Sequence, residues 1–320
     1  MQNDSIKIRG RIVAKGQPCY IVAEAGGNAN SNVRLGLSLV EKAKLAGADA
    51  IKFQTYKANM LATKKAPKYW VDTLGEWEKG VKPYGYQYDE FKQLDGLTIQ
   101  DYKIIKKECD ELDITFFSTP FDFESVDLLA ELDVSVYKIA SADITYFDLL
   151  EYIGKKGKPI ILSTGASTLN EVKEAVNVIK GTGNEQIILL QCTLHYPCKY
   201  DEVHINAMKT LISEFPEHVI GLSDHSLGTL VPIVAAANGA QVIEKHFTID
   251  KTLKQSTDHF ISVDPEELKE MVENIKKIPD IMGRSIKQPD PSEELARLYA
   301  RRSVTTTKKI NKGELLTEEN

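Results

Sequence analysis

Long apolar runs, paired cysteines and a surplus of positive charge are all missing from this sequence. No apolar run approaches the roughly 20 residues that a membrane-spanning helix needs, and the opening MQNDSIKIRG lacks the apolar core of a signal peptide. The net charge is −6, and no basic stripe alternates with aromatic residues. We therefore expect neither a membrane nor a nucleic acid as a partner.

The cysteine pattern indicates the redox environment of the protein, and the composition indicates how large its hydrophobic core is. Cys19, Cys109, Cys192 and Cys198 form no CxxC pair, which favours reduced thiols in a cytoplasmic protein over disulfides. Of the 320 residues, 42% are hydrophobic and 27% are charged. That composition predicts one large α/β domain with a sizeable core, followed by a small appendage.

Residues 220–248 contain the pattern that organises the chain. Two apolar runs, 219–222 and 241–243, each lead into polar residues, which are Ser223, Asp224 and His225 after the first and Glu244 and His246 after the second. Residues 229–238 between them predict a helix closed by Gly239. Strand, loop, helix and strand in this order form the unit of a parallel α/β fold, with polar residues at the carboxyl ends of the strands.

The same alternation recurs eight times. The predicted strands are residues 20–23, 50–53, 115–117, 136–139, 160–162, 187–190, 219–222 and 241–243. Between and after them, apolar residues at i, i+3 and i+4 predict helices within 32–46, 126–132, 149–153, 172–179, 208–215, 229–238 and 268–278. Eight such units predict a closed (β/α)8 TIM barrel over residues 1–280. An open doubly wound sheet is the alternative, although no GxGxxG follows the first strand.

Four further segments lie outside the repeating units. Residues 5–17, with Gly10 and Gly16 as turn residues, predict a two-stranded ribbon before the barrel. Residues 56–97, which include Trp70 and Trp77, are longer than an ordinary loop and predict either a lid or a packed excursion. Residues 281–302 are polar and contain proline, which predicts a linker. Residues 303–316 alternate like a strand that turns at 311–313, so a second domain would begin at residue 303.

Two histidines end neighbouring strands of the predicted barrel. His225 and His246 would converge at the carboxyl ends of the strands, and neutral imidazole is a common metal ligand. Glu24 and Glu244 fall on the same face, which strengthens the prediction of a divalent metal site open to water and substrate. The alternative for either histidine is a hydrogen-bonded structural role. Three other histidines are expected to be structural or solvated: His195, His204 and His218.

A second cluster on this face is cationic and hydroxylic. Its predicted members are Lys52, Thr119, Lys138, Ser141, Ser163 and Ser223. Two ammonium groups ringed by hydroxyl donors suit a phosphate monoester dianion, because they supply point charges and neutral hydrogen bonds together. An ion pair with a glutamate is the structural alternative for either lysine. A Schiff-base lysine, which needs a lowered pKa, is the catalytic alternative, and a hydroxyl-rich, cationic site with a metal beside it argues against this alternative.

Eight motifs resemble those of the sialic acid synthase family, which comprises N-acetylneuraminate synthases and their legionaminate, pseudaminate and 9-phosphate relatives. They are AEAGGNAN (23–30), AIKFQTY (50–56), FFSTPFD (116–122), YKIASAD (137–143), PIILSTGAS (159–167), LLQCTLHYP (189–197), GLSDHS (221–226) and EKHFT (244–248). They occur in the family's order along nearly the whole chain. Residues 303–320 resemble the opening of the family's C-terminal antifreeze-like (SAF) domain, which places the linker at 281–302.

The resemblance implies a metal-dependent synthase that acts as a homodimer. Such an enzyme condenses phosphoenolpyruvate with an N-acylated hexose, either N-acetylmannosamine or a 2,4-diacetamido-6-deoxy hexose, to a nine-carbon 2-keto sugar acid and phosphate. By resemblance, His225 and His246 would bind Mn2+, or else Mg2+ or Co2+. The residues that would bind substrate are Lys52, Gln54, Thr119, Lys138, Ser141, Ser163, Tyr196, Ser223 and Asp258. Lys52, Glu24 and Glu244 would be catalytic, the glutamates as general bases.

The chain departs from the family pattern at two positions near the sugar. Ala29 follows Asn28 where many members have histidine, and Leu194 stands two residues before Tyr196 where neuraminate synthases have asparagine. The identity of the hexose therefore stays open. The family's SAF domain reaches the sugar site of a partner subunit, so a chain with only its start is expected to handle the sugar poorly. A silent sugar-binding barrel is the alternative outside enzymes, but the set of site residues is complete.

Overall fold

The computed structural model describes residues 5–320 and separates into two compact units, with the boundary between Pro279 and Asp280. The strands are β1 (Ser5–Ile8), β2 (Arg11–Ala14), β3 (Tyr20–Gly26), β4 (Ala50–Thr55), β5 (Thr115–Pro120), β6 (Tyr137–Ile139), β7 (Ile160–Ser163), β8 (Ile187–Cys192), β9 (Val219–Asp224) and β10 (Val242–His246). The helices are α1 (Val33–Leu45), α2 (Ala58–Leu61), α3 (Leu74–Glu78), α4 (Gln87–Leu94), α5 (Ile99–Glu111), α6 (Phe123–Glu131), α7 (Phe147–Gly154), α8 (Leu169–Gly181), α9 (Ala207–Glu214), α10 (Leu230–Ala237), α11 (Asp258–Ile261), α12 (Pro265–Met282) and α13 (Glu294–Tyr299). Short 3₁₀ turns cover Ser141–Asp143, Tyr200–Glu202 and Pro291–Glu293. Within residues 5–320, no helix combines the length and the apolar character needed to cross a membrane.

Eight parallel strands form the barrel that the repeating pattern predicts. Their spatial order is β5–β4–β3–β10–β9–β8–β7–β6, and neighbours in this order pair in parallel. The two end strands, β5 and β6, lie side by side where the sheet curls round. Each strand is followed by at least one helix before the next strand begins. The (β/α)8 TIM barrel is thus confirmed, and the open doubly wound sheet is excluded.

Side chains that alternate along the barrel strands form two apolar clusters, and polar side chains occupy the carboxyl ends of the strands. Outward residues pack with the helices in one hydrophobic cluster, which includes Ile21, Ile51, Phe116, Leu162, Leu189, Leu222 and Ile243. Inward residues in the amino-terminal half of the strands form a second cluster, which includes Val22, Ala50, Phe117, Val136, Ile161, Leu190 and Val242. Two residues after each member of that second set come Glu24, Lys52, Thr119, Lys138, Ser163, Cys192 and Glu244. Because side chains alternate across a strand, these polar groups also face the barrel interior, at the carboxyl ends.

The predicted two-stranded ribbon is also confirmed. Strands β1 and β2 pair antiparallel, with Ile6 opposite Val13. These two residues and Ile8 are buried in the same cluster as the inward apolar residues of the barrel strands. Since those residues fill the amino-terminal half of the barrel, the ribbon covers that end. The opposite end is left for chemistry, as is usual for this fold.

The helices begin and end close to the positions that the sequence predicts, as α1 illustrates. Asn32 caps this helix, since its side-chain oxygen accepts hydrogen bonds from the N–H groups of Arg34 (2.9 Å) and Leu35 (3.4 Å). The buried face of α1 includes Leu39 and Ala43. Their spacing of four residues places them on one side of the helix, where they join the outer hydrophobic cluster.

The second unit, residues 280–320, differs from its prediction. The segment expected to be a linker contains α13 and the 3₁₀ turn before it. The strand predicted within 303–316 is wrong, because residues 303–320 form no strand. The predicted turn is present, since the N–H of Glu314 donates to the carbonyl of Asn311 at 3.0 Å. An isolated hairpin is marginally stable at best in water, and alternation alone does not supply the sheet that a strand needs.

Candidate active site

A cavity of about 340 Å3 opens at the carboxyl ends of the barrel strands. Every residue for which the sequence predicts a site role lines it: Glu24, Lys52, Gln54, Thr119, Lys138, Ser141, Ser163, Tyr196, Ser223, His225, Glu244, His246 and Asp258. The volume falls within the range of small-molecule sites. The structure thus brings the predicted residues together in one place, and their individual roles stay predictions.

Lys52 is buried between two carboxylates. Its Nζ lies 3.2 Å from Oε2 of Glu24 and 3.2 Å from Oε1 of Glu244, and it donates to Oγ1 of Thr119 at 3.3 Å. Strand register explains the contact, because Lys52 on β4 lies opposite Glu24 on β3. Burial alone would lower the pKa of Lys52, but the charges of Glu24 and Glu244 outweigh it and raise the pKa. Lys52 is therefore held as a cation.

Lys138 is the second cation of the cavity, and its surroundings differ. Its Nζ donates to Oγ of Ser163 at 2.7 Å and to the carbonyl oxygen of Ile139 at 2.8 Å. Burial lowers the pKa of Lys138 to about 8, and the charge of Glu244 offsets this only in part. Ser141 follows on the 3₁₀ turn after β6 and lines the same cavity. Two buried ammonium groups with neighbouring hydroxyls suit a phosphate dianion.

Glu24 and Glu244 have opposite pKa shifts although both are buried. Burial raises the pKa of Glu24 to about 8, because Lys52 opposes it only in part and the charge of Glu244 adds to it. For Glu244, the charges of Lys138 and Lys52 outweigh burial and lower the pKa. Ser223 also donates to Oε1 of Glu244 at 2.9 Å, which stabilises the ionised form. One carboxyl is thus neutral and the other ionised near neutral pH, which separates an acid from a base.

His225 and His246 lie just after β9 and at the end of β10, with ring centroids 5.4 Å apart. Nδ1 of His225 lies 2.7 Å from the carbonyl oxygen of Thr193 and donates to it, so Nε2 is the nitrogen that the neutral ring presents. Burial opposes the charged form of His225, but Cys192 and the carbonyl of Thr193 outweigh burial and raise its pKa. Nδ1 of His246 is buried and has no hydrogen-bond partner among the described residues. Burial holds the pKa of His246 well below its usual value, and neighbouring positive charges add to the effect. His246 is thus a neutral ring, and His225 presents Nε2 to an ion once that nitrogen has lost its proton.

These two imidazoles fit a divalent ion. The unpaired ring nitrogen of His246 lies 3.6 Å from Oδ2 of Asp258, so nitrogen and carboxylate donors of the kind such ions bind occur together. In the described part of the chain, no group of three or more histidine, cysteine, aspartate or glutamate side chains is arranged to hold a metal by itself. An ion held by His225 and His246 would therefore keep positions for water and substrate, as catalytic sites do.

Tyr196 and Gly26 shape the space beside the histidines. The ring of Tyr196 lies over that of His225, with centroids 4.1 Å apart and planes at 33°. Gly26 has a φ of +51°, and a Cβ there would come within 3.0 Å of Oδ2 of Asp258 and 3.2 Å of Oε1 of Glu24. Glycine therefore lets the backbone of β3 turn and pass close to both carboxylates.

The 56–97 excursion forms one wall of the cavity. Its lining residues are Tyr56, Leu61, Tyr69, Trp70, Val71, Gln87, Glu90, Phe91 and Leu94. Trp70 and Val71 are buried, although no regular element contains them. Both interpretations of this segment, a lid and a packed excursion, are compatible with such a wall.

Several cavity residues have no role predicted from the sequence. Cys192 could have been found, because it continues the inward series of β8 two residues after Leu190. Asp143 has a buried Oδ2 without a hydrogen-bond partner in residues 5–320, and burial raises its pKa to about 7. Trp70 and Glu90 belong to the 56–97 excursion. No local pattern signals that these two side chains reach the site.

Three histidines have the structural or solvated roles expected of them: His195, His204 and His218. His218 is buried, with Nδ1 3.2 Å from a backbone carbonyl oxygen, and His204 is exposed. His259, for which the sequence predicts no role, is also buried. Its Nδ1 lies 2.7 Å from Oγ1 of Thr248 and its Nε2 lies 3.1 Å from Oδ1 of Asn30. Burial lowers the pKa of His259 to about 4, so it is a neutral structural residue.

Ala29 and Leu194, the two positions at which the sequence departs from the family pattern, lie in different surroundings. Leu194 lines the cavity. Ala29 is buried in the hydrophobic cluster between the strands and the helices. Its neighbour Asn28 donates to the carbonyl oxygen of Phe247 at 2.9 Å and to Oγ of Ser262 at 3.0 Å. Of the two positions, Leu194 is therefore the one whose side chain can influence the choice of substrate.

Comparisons of sequence and structure with known proteins agree with one another. Residues 39–287 match the NeuB family. An uncharacterized protein of Methanocaldococcus jannaschii is 43% identical over 317 residues, which cover 99% of this chain and 88% of that protein. The N,N'-diacetyllegionaminic acid synthase of Legionella pneumophila is 40% identical over 306 residues, which cover 94% and 83%. The crystal structure of the N-acetylneuraminic acid synthetase of Leptospira borgpetersenii, 32% identical, aligns with a TM-score of 0.77 and covers 94% and 99%.

Proposed function

Because the chain belongs to the NeuB family, we propose that it condenses phosphoenolpyruvate with an N-acylated hexose, forms a nine-carbon 2-keto sugar acid and releases phosphate. Relatives that are legionaminic acid and N-acetylneuraminic acid synthases support this proposal. The observation that carries it is a pair of buried lysines in the same cavity as a pair of imidazoles. The proposal therefore rests on the residues of the site as well as on similarity to the relatives.

The two lysines match the two anionic groups of phosphoenolpyruvate. Lys52 and Lys138 supply two positive charges in one buried cavity, where charges interact more strongly than in water. The carboxylate and the phosphate of this substrate need such cations together with neutral donors. The hydroxyls of Thr119 and Ser163 already contact the two ammonium groups, so they lie where a bound phosphate would meet them.

His225 and His246 would hold a divalent ion, for which Mn2+ is proposed first and Mg2+ or Co2+ as alternatives. Two imidazoles completed by water and substrate oxygens give a mixed nitrogen and oxygen donor set, which Mn2+ accepts more readily than Mg2+ does. When bound, the ion would act as a Lewis acid on the carbonyl of the hexose. Asp258 lies 3.6 Å from His246 and would orient that ring or bind the sugar.

Glu24 and Glu244 would move the protons of the reaction. C3 of phosphoenolpyruvate forms a bond to the aldehyde carbon of the hexose, whose oxygen takes up a proton, and positive charge develops at C2. Neutral Glu24 can donate that proton, and ionised Glu244 can stabilise the charge and accept a proton from the water that adds at C2. The bond between C2 and the phosphate oxygen then breaks as the C2 hydroxyl becomes a carbonyl and its proton passes to the departing phosphate, which yields the keto acid and phosphate.

Among N-acylated hexoses, a 2,4-diacetamido-6-deoxy hexose is proposed ahead of N-acetylmannosamine. Leu194 lines the cavity with an apolar side chain, which suits the methyl groups of such a sugar better than extra hydroxyls. A panel of N-acetylmannosamine, its 6-phosphate and 2,4-diacetamido-6-deoxy hexoses, assayed for phosphate release from phosphoenolpyruvate, tests both levels of the proposal. We expect the highest kcat/KM with a diacetamido sugar. Phosphate release with none of them would contradict the synthase itself.

A Schiff-base aldolase is the second candidate, because burial lowers the pKa of Lys138 as such a nucleophile requires. Against it, Ser163 and the carbonyl of Ile139 both accept hydrogen bonds from Nζ of Lys138 and so stabilise the ammonium. Borohydride reduction with pyruvate or hexose separates the two. The synthase leaves the mass of Lys52 and Lys138 unchanged, whereas a stable reduced adduct on either would establish the aldolase.

The enzyme is proposed to act in the cytoplasm and as a homodimer. The four cysteines, Cys19, Cys109, Cys192 and Cys198, are free, which suits a reducing compartment. The dimer rests on the resemblance described from the sequence. Sedimentation equilibrium measures the oligomeric state, and a monomer at micromolar concentration would contradict it.

A further inference from the structure

Glu90, on α4, is a buried carboxylate whose two oxygens receive hydrogen bonds from two different segments. Its Oε2 accepts from Nε1 of Trp70 at 3.0 Å and lies 3.0 Å from Nζ of Lys68. Its Oε1 accepts from the backbone N–H of Thr257 at 3.0 Å and from the hydroxyl of Thr257 at 2.7 Å. Four donors thus converge on a residue that is only 8% exposed.

The two segments are far apart in sequence, yet both border the cavity. Lys68 and Trp70 belong to the 56–97 excursion, whereas Thr257 lies 167 residues from Glu90 and is the N-cap residue of α11. The next residue, Asp258, lines the cavity. Glu90 therefore joins the wall of the cavity to the backbone that carries Asp258.

The contacts of Glu90 with Lys68, Trp70 and Thr257 are called the junction below. A row of aromatic rings leads from this junction into the site. The rings of Trp70 and Tyr69 meet edge to face with centroids 4.7 Å apart, and those of Tyr69 and Tyr196 are 6.4 Å apart. Tyr196 in turn lies over His225. Edge-to-face aromatic contacts have preferred geometries, so a displacement of Trp70 would reach the surroundings of the histidines.

We propose that Glu90 is a positioning residue that holds Asp258 and the aromatic row in place for the hexose, an inference that rests on the proposed function. A carboxylate is required because both of its oxygens accept hydrogen bonds, whereas a glutamine side chain has one accepting oxygen and one donating nitrogen. Glu90→Gln keeps the size of the side chain but loses either the Trp70 and Lys68 side or the Thr257 side. The lysines proposed to bind phosphoenolpyruvate are borne by strands β4 and β6, outside the junction.

Steady-state kinetics of Glu90→Gln test the proposal, with Glu78→Gln as the matched control. Glu78 is exposed on α3 of the same excursion, so its substitution removes the same charge without touching the junction. We expect Glu90→Gln to raise the KM of the hexose about tenfold and to leave the KM of phosphoenolpyruvate within about twofold. Thr257→Val removes only the hydroxyl donor and should act in the same direction by a smaller factor. Glu78→Gln should match the wild type.

Trp70 provides a readout that does not depend on turnover. The sequence contains two tryptophans, so Trp77→Phe leaves Trp70 as the single reporter. In that background, we expect Glu90→Gln to increase quenching of Trp70 fluorescence by acrylamide, because the indole loses its acceptor and the wall opens to solvent. Glu78→Gln should leave the quenching unchanged.

Two kinetic outcomes would overturn the proposal. One is equal kinetics for Glu90→Gln and Glu78→Gln, whatever the quenching. The other is an equal loss for both substrates together with a lower melting temperature, because that pattern indicates general damage to the fold. If the wild type releases no phosphate with any hexose, the proposed function fails separately. Trp70 then decides about the junction, with increased quenching in Glu90→Gln supporting it and unchanged quenching overturning it.

Discussion

Lys52 and Glu24 face each other across two neighbouring barrel strands, with Nζ of the lysine 3.2 Å from Oε2 of the glutamate. Both side chains are almost fully buried, so the charge of Lys52 acts on the carboxyl of Glu24 in a medium that screens it poorly. The register of β3 and β4 places them opposite each other, and a slip of one residue would turn the side chains of a strand to the opposite face. The site thus depends on strand register as much as on residue type.

Lys52→Arg should keep the charge and lose most of the activity. A planar guanidinium cannot take the place of a compact ammonium between the carboxylates of Glu24 and Glu244. Misplacing such a preorganised contact costs about 2–4 kcal/mol of transition-state stabilisation, which lowers kcat/KM roughly 30- to 1000-fold. Lys65→Arg, at an exposed position in the 56–97 excursion, is the control. A loss no larger than that of the control would remove Lys52 from the mechanism.

The affinity for phosphoenolpyruvate should fall as the pH rises through about 8. Burial lowers the pKa of Lys138 to about 8, so its positive charge is present below this pH and is lost above it. Calorimetric titration should therefore give a Kd that rises between roughly pH 7 and 9. Lys138→Arg stays charged over this range and should bind more weakly and with a shallower dependence, because Glu24, whose pKa is raised to about 8, still ionises. The same pH profile in both proteins would show that the charge of Lys138 is not used.

Removal of divalent metal should abolish activity, and added Mn2+, Co2+ or Mg2+ should restore it, with Mn2+ more effective than Mg2+. His246→Ala should lose bound metal with little loss of stability, because its ring lies at the mouth and Nδ1 has no hydrogen-bond partner among the described residues. His204→Asn removes an exposed imidazole and should keep the full metal content. Atomic emission and thermal melting measure the two properties. Full activity of His246→Ala after exhaustive chelation would contradict the metal site.

The stability that His259 contributes to the fold should decline as the pH falls from about 6.5 towards 4. His259 is buried between Thr248 and Asn30, and burial lowers its pKa from 6.5 to about 4. In this window the imidazole of His259 binds a proton in the unfolded chain but not in the folded chain. The contribution of His259 to the free energy of unfolding is therefore complete above about pH 6.5 and declines below. Urea unfolding at a series of pH values measures the effect. His259→Gln should reduce the slope, and an unchanged slope would assign the acid sensitivity to other groups.

The barrel and most of its site could be predicted because eight strands repeat one local pattern. Val22 and Glu24, or Ala50 and Lys52, place an apolar and then a polar group on the same face two residues apart. Since side chains alternate along a strand, this spacing indicates both the closed fold and the end that carries the chemistry. Cys192 obeys the same rule.

Other features could not be predicted, because they depend on contacts between distant segments. Glu90 and Thr257 are separated by 167 residues, and nothing in α4 distinguishes a buried acceptor from an exposed glutamate. The strand expected within 303–316 failed for a related reason. Alternation there is local, whereas a strand needs a partner sheet that these residues do not provide.

The site of bond cleavage tests the central claim most directly. The reaction is run with phosphoenolpyruvate and the hexose in water labelled with heavy oxygen, and the phosphate is analysed by mass spectrometry. If C3 of phosphoenolpyruvate attacks the hexose and water adds at C2, the bond between C2 and oxygen breaks. We then expect unlabelled phosphate, formed one for one with the nine-carbon acid and only when both substrates are present. Labelled phosphate, or phosphate formed without the hexose, would contradict the account.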